Sequence, residues 1–181
     1  MRPRVLALIA IAALSSCGDS SPTLAFPGGV KIADVAGVWS YTSRLASITG
    51  GECFGPLLQS TIGSADTGTI SITQLGVNLT AMARSNSDGS SCEYTGTASE
   101  SSIALVWRSC GAANVFPISC TDGAQRELIL RTNTISASVS GTVGLSTASG
   151  TQVEKYDVVV SGIGTGVGTL TASSSFAATK Q

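Results

Sequence analysis

The chain contains no histidine. Without an imidazole there is no Ser-His-Asp or Cys-His relay, and the commonest side-chain ligand of transition metals is missing. No G-x-S-x-G turn presents a serine nucleophile. Charged residues make up only 12% of the chain, and no Asp or Glu has another within two positions, so the dense acidic loop that calcium needs is absent. Nor is there a clustered basic face to attract nucleic acid. Cysteines never fall in C-x-x-C pairs, which argues against a zinc site. No cofactor and no metal are expected.

Long apolar runs are almost absent too, and the exception is informative. Val5 to Leu14 (VLALIAIAAL) follows Arg2 and Arg4 and ends in Ser15-Ser16-Cys17. Ten residues rise about 15 Å as a helix, roughly half a bilayer's hydrocarbon thickness, so this run is a poor permanent span. Its order of charge, apolar run and small residues is that of a secretory signal, with residues 1–16 removed. Leu14-Ser15-Ser16-Cys17 resembles the lipobox of bacterial lipoproteins. That resemblance implies acylation of Cys17 and a lipid bilayer as partner; more than one acyl chain, at about 0.8 kcal/mol per buried CH₂, makes such an anchor stable. Gly18 stands where an Asp would retain an enterobacterial lipoprotein in the inner membrane, so the resemblance favours the outer membrane. Losing Arg2 and Arg4 takes the net charge from −1 to −3.

Residues 18–33, rich in Ser, Pro and Gly, read as a tether of up to about 50 Å between the lipidated cysteine and a domain at 34–181. Four further cysteines, Cys53, Cys92, Cys110 and Cys120, form an even set that suits two disulfides in an exported protein. Three connectivities are open, and the preferred one is Cys110–Cys120 with Cys53–Cys92.

From Val35 onward, short alternating runs are punctuated by Gly, Asp-Gly and Ser-Gly, and no helical spacing is sustained. The fold class is therefore all-β, with strands at 37–45, 67–75, 77–84, 91–98, 103–109, 127–131, 135–146, 153–160 and 165–172. Tight connections favour an antiparallel up-and-down meander that closes into a barrel of about eight strands, with a β-sandwich as the alternative. In 135–146, Ile135, Ala137 and Val139 share one face, and Ser136, Ser138 and Ser140 the other. Gly162 to Gly168 has G-x-G-x-G-x-G spacing and runs into Thr169-Leu170-Thr171, so it reads as a hairpin rather than a phosphate loop.

Gly37-Val38-Trp39 opens the first strand and resembles the G-x-W signature of lipocalin-like barrels. The chain is also similar to small uncharacterised lipoproteins of Gram-negative bacteria. The resemblance implies a tryptophan plugging the narrow end, with a basic residue from a late strand laid against it; Lys155 and Lys180 are the late candidates. Trp39 and Trp107 are both expected in the core. Glu52, Asp66, Glu93, Glu100, Glu127, Glu154 and Asp157 are expected mostly at turns or on solvated faces.

Three functions follow. The leading one is a non-enzymatic, membrane-anchored envelope lipoprotein whose barrel binds a small apolar ligand. The second is a structural or interaction module with a filled barrel. The third, less favoured, is a carboxylate enzyme acting on envelope glycans, which needs two carboxylates facing one cleft.

Overall fold

The computed structural model describes residues 31–50, 58–111, 115–120, 122–141, 145–160 and 166–181. The signal segment, Cys17, most of the tether, Glu52 and Cys53 lie outside the described residues.

Among the described residues nine strands run in order: β1 (Gly37–Gly50), β2 (Ala65–Leu75), β3 (Asn78–Ser85), β4 (Ser91–Ala98), β5 (Ser102–Cys110), β6 (Val115–Ser119), β7 (Gln125–Ser140), β8 (Thr147–Val160) and β9 (Gly166–Lys180). The sheet order is β5-β4-β3-β2-β1-β9-β8-β7-β6, and a further pairing of β5 with β7 closes it. The result is the expected antiparallel barrel of eight strands, with β6 as an extra edge, and not a sandwich.

Alternation explains the wall. On β2, Asp66, Gly68, Ile70, Ile72 and Gln74 share one pleat face, with Ile70 and Ile72 buried and the intervening Thr67, Ser71 and Thr73 exposed. On β7, Ile135, Ala137 and Val139 are buried while Ser136, Ser138 and Ser140 are exposed, as the sequence pattern predicts. Gly68 sits opposite Tyr41 of β1, where a Cβ would collide with the Arg84 carbonyl oxygen and stand 2.7 Å from the Tyr41 hydroxyl. Only glycine lets that ring lie against the sheet.

Two features depart from the sequence reading. The runs expected at 127–131 and 135–146 are one strand that ends at Ser140, because a bulge between Leu130 and Thr132 keeps both Leu130 and Asn133 facing inward. The excursion between Cys110 and Cys120 contains β6, which pairs with residues 125–129 of β7 while residues 134–138 pair with β5. β7 thus serves the barrel with one half and the extra edge with the other.

The disulfide pairing is a correction. Cys92 is bonded to Cys110, not to Cys53, and Cys110 is not bonded to Cys120. Cys92 and Cys110 are cross-strand partners on β4 and β5 with Cα atoms 4.0 Å apart. Such a directly opposed pair already holds its Cβ atoms within bridging distance. Cys120 is buried and disulfide-bonded in its own right.

The core has two clusters. The larger fills one end of the barrel with Trp39, Leu79, Leu105, Ile135 and neighbours; it includes Ile32 and Ala33, so packing begins inside the segment read as tether. The smaller joins Cys120, Leu128, Val158 and Leu170 beside β6. Trp107 faces the core but is only partly buried, its indole N–H donating to the Cys110 sulfur at 3.0 Å. The glycine-rich run is a β8–β9 connection, with Val159 opposite Gly166; residues 161–165 lie outside the described residues.

Candidate ligand-binding cavity

One end of the barrel is closed by the chain's own lead-in. Val35 is fully buried, its N–H donates to the Gln74 side-chain oxygen at 2.8 Å, and Gln74 Nε2 donates back to the Ala33 carbonyl at 2.9 Å. The Ala33 N–H reaches the Ser99 carbonyl in the β4–β5 turn at 2.9 Å, so residues 33–35 lie across the strand ends. Trp39, 2% exposed, donates its indole N–H to the Val35 carbonyl at 2.9 Å. Lys180, its cross-strand partner on β9, places Nζ 5.9 Å from the centre of the indole. Gly37 makes room for that lysine: its φ is +124°, and a Cβ there would sit 3.1 Å from Lys180 Cε. The G-x-W spacing therefore has a local cause, a left-handed residue under the lysine stem and an aromatic plug two positions on.

Beyond the plug the lumen is not filled. A cavity of about 400 Å³ is lined on its apolar side by Trp39, Ile70, Leu105, Ile135, Val139 and Phe176. Its polar side carries Asp66 and Glu154 together with Tyr41, Tyr94 and Gln152. Among the described residues, no lysine or arginine lines it.

Glu154 lies on the inward face of β8 between Gln152 and Tyr156. Its Oε1 accepts from Asn133 Nδ2 and Gln152 Nε2, each at 3.1 Å, and its Oε2 accepts from the Tyr156 hydroxyl at 3.1 Å. Asn133 Nδ2 also donates to the Tyr94 hydroxyl at 3.0 Å, while Asn133 Oδ1, on a side chain of a residue only 3% exposed, has no partner. Asp66 is held by three hydroxyls: Tyr41 at 3.1 Å, Ser85 at 2.8 Å and Ser87 at 2.9 Å.

Burial pushes the Glu154 carboxyl above its usual range; hydrogen bonds from Tyr156 and Gln152 oppose this, and the Asp66 charge adds to it. Burial, reinforced by the Glu154 charge, raises the Tyr94 and Tyr156 phenols well above theirs. Burial and then Asp66 do the same to Tyr41. The phenols therefore stay protonated, Tyr41 and Tyr156 donating to the carboxyl groups and Tyr94 accepting from Asn133.

A stability prediction follows. A carboxyl whose folded-state affinity for a proton exceeds its unfolded-state affinity contributes stability at low pH, and that contribution is lost as pH rises from the ordinary carboxylate range through the raised value. Urea midpoints of the wild-type protein should fall over this interval relative to those of Glu154→Gln. Parallel curves for the two proteins would show that Glu154 does not titrate with folding.

The sequence reading placed the acidic residues mainly on solvated faces, and for Asp66 and Glu154 the structure corrects it. Glu93 conforms, receiving a hydrogen bond from Ser109 at 3.2 Å on the exposed side. Asp157 conforms as well, pairing with Arg131 at 3.2 Å. Gln152, Tyr94 and Asn133 were not singled out from the sequence. The signal was present on β8, where Ala148, Gln152, Glu154, Tyr156 and Val158 share a parity, but Val153 and Val159 suggested the opposite face. Among the described residues, no group of His, Cys, Asp and Glu could hold a metal ion. No family model, no curated protein and no solved structure matches this chain at a significant level.

Proposed function

We propose that this chain is a lipid-anchored lipoprotein of a bacterial cell envelope, non-enzymatic, whose lipocalin-like barrel binds a small apolar molecule. The observation that carries the binding role is the lumen: about 400 Å³ behind a closed end exceeds the roughly 300 Å³ from which ligand pockets start. A structural module with a filled barrel would have side chains in that space. Gly37, Trp39 and Lys180 support the lipocalin-like reading through their arrangement at the closed end. The anchor rests on the run from Val5 to Cys17.

Each half has its own test. Expressed in a Gram-negative host, the protein should incorporate labelled palmitate and fractionate with membranes, and Cys17→Ser should abolish the labelling. Labelling that persists in this variant would reject the anchor. For the lumen, purified protein should bind naphthalene by fluorescence titration, and Ser174→Phe, which places a ring among the lining residues, should block it. Equal binding by both would place the probe elsewhere and reject the ligand role.

Asp66 and Glu154 in one cavity also favour a second reading, the carboxylate enzyme on envelope glycans, which needs two carboxyl groups facing one cleft. Hydrolysis of peptidoglycan fragments, lost in both Asp66→Asn and Glu154→Gln, would establish it in place of the binding role.

A further inference from the structure

Two carboxyl groups line the lumen, and among the described residues no basic side chain lines it with them. Among the described residues the ion pairs are Arg126–Asp122 and Arg131–Asp157, and none of these four residues lines the cavity. Lys180 lies at the plug over Trp39 and is not a lining residue. Asp66 and Glu154 thus face the lumen with hydrogen-bond donors but no cation.

Acceptors also outnumber the donors supplied to them. Glu154 Oε2 has one donor, Tyr156, for two lone pairs. Asn133 Oδ1 has none, although its amide nitrogen bridges the lining residues Glu154 and Tyr94 and the residue is almost wholly buried. Asn133 is not itself a lining residue, so the acceptor that the lumen offers to an arriving donor is the open lone pair of Glu154 Oε2.

The geometry points to an amphiphilic organic cation as the occupant: an alkyl or aryl amine whose ammonium meets Glu154 and lies in the field of Asp66, with its hydrocarbon against Trp39, Ile70, Leu105 and Phe176. This rests on the reading of the lumen as a ligand site and names the ligand class. An ammonium supplies three donors and a positive charge to an end of the cavity that offers acceptors and two carboxylates. A fatty acid of the same length would bring a third carboxylate into that end, and a hydrocarbon would leave Asp66 and Glu154 without a counter-charge.

The test compares octylammonium, octanol and octanoate by calorimetric titration into the purified full chain at neutral pH. A hydrogen bond to a charged group contributes about 1.5–3 kcal/mol, so octylammonium should bind at least about tenfold more tightly than octanol, with octanoate weakest. Glu154→Gln should bring octylammonium to within about threefold of octanol. Asp66→Asn should narrow the gap in the same direction, and it decides the matter if the first variant does not fold. Equal affinities for octanol and octylammonium in the wild-type protein, or tightest binding of octanoate, would overturn the cation assignment while leaving the lumen a ligand site. If no probe binds, or if Ser174→Phe leaves binding unchanged, the ligand role itself fails.

Discussion

Replacing Trp39 with Ala should cost about 3–5 kcal/mol of folding stability, a large part of the roughly 5–15 kcal/mol that holds a domain of this size. Three losses coincide. The side chain is 2% exposed, so nearly all of its surface is withdrawn from water, and its removal leaves a void at the closed end. The indole N–H that satisfies the Val35 carbonyl disappears, leaving a buried acceptor beside a fully buried residue. Lys180 loses the ring under its ammonium, a smaller term of about 0.5–1 kcal/mol at a partly exposed site. Urea or guanidinium melts of the two proteins give the difference directly. A change under about 0.5 kcal/mol would mean that Trp39 is not a plug and that the closed end does not depend on it.

Removing the Cys92–Cys110 bridge should cost about 3 kcal/mol, since the loop it closes spans 18 residues and the chain-entropy model scales with that length. Peptide mapping without reductant should recover Cys92 and Cys110 in one linked pair. The paired substitution Cys92→Ala with Cys110→Ala then measures the cost by denaturant melts, compared with wild-type protein under oxidising conditions. Recovery of Cys110 linked to Cys120 would reject the cross-strand arrangement. A near-zero cost would mean that the β4–β5 ladder alone restricts these residues.

The barrel was legible because its evidence is local. Period-two runs, Asp88-Gly89 and similar turns, and the missing helical spacing are each visible within a dozen residues. Ile135, Ala137 and Val139 showed their face without any knowledge of partners. The disulfides were not legible, because connectivity depends on register, and the register that sets Cys92 opposite Cys110 includes a shift between Glu93 and Tyr94 that no turn residue announces. The acidic interior was hidden for a related reason. Turning two carboxyl groups toward a lumen contradicts the usual preference, so average behaviour assigned Asp66 and Glu154 to water. Their donors arrive from three other strands, Tyr41 on β1, Ser85 on β3 and Asn133 on β7, from Ser87 in the β3–β4 turn and, for Glu154, from Gln152 and Tyr156 on β8 itself. β6 was missed because five residues that include Pro117 carry little alternation of their own.

The pairing of β1 with β9 ties the first strand of the barrel to the last: the Gln181 side chain donates to Ser40 across a separation of 141 residues. Most other neighbours in the wall are hairpins that form soon after their second strand is made, but this seam has to wait for β9. The entropy of joining such distant segments must be met before their contacts return anything, which makes the step slow compared with hairpin formation. Until it is complete, β1 and β8 each present an unpaired edge, and exposed edges of adjacent chains recruit one another. A protein cut short before β9 would therefore be more than a weaker barrel. It would be an open ribbon with two adhesive borders, and its fate would be decided by protein concentration rather than by folding free energy alone.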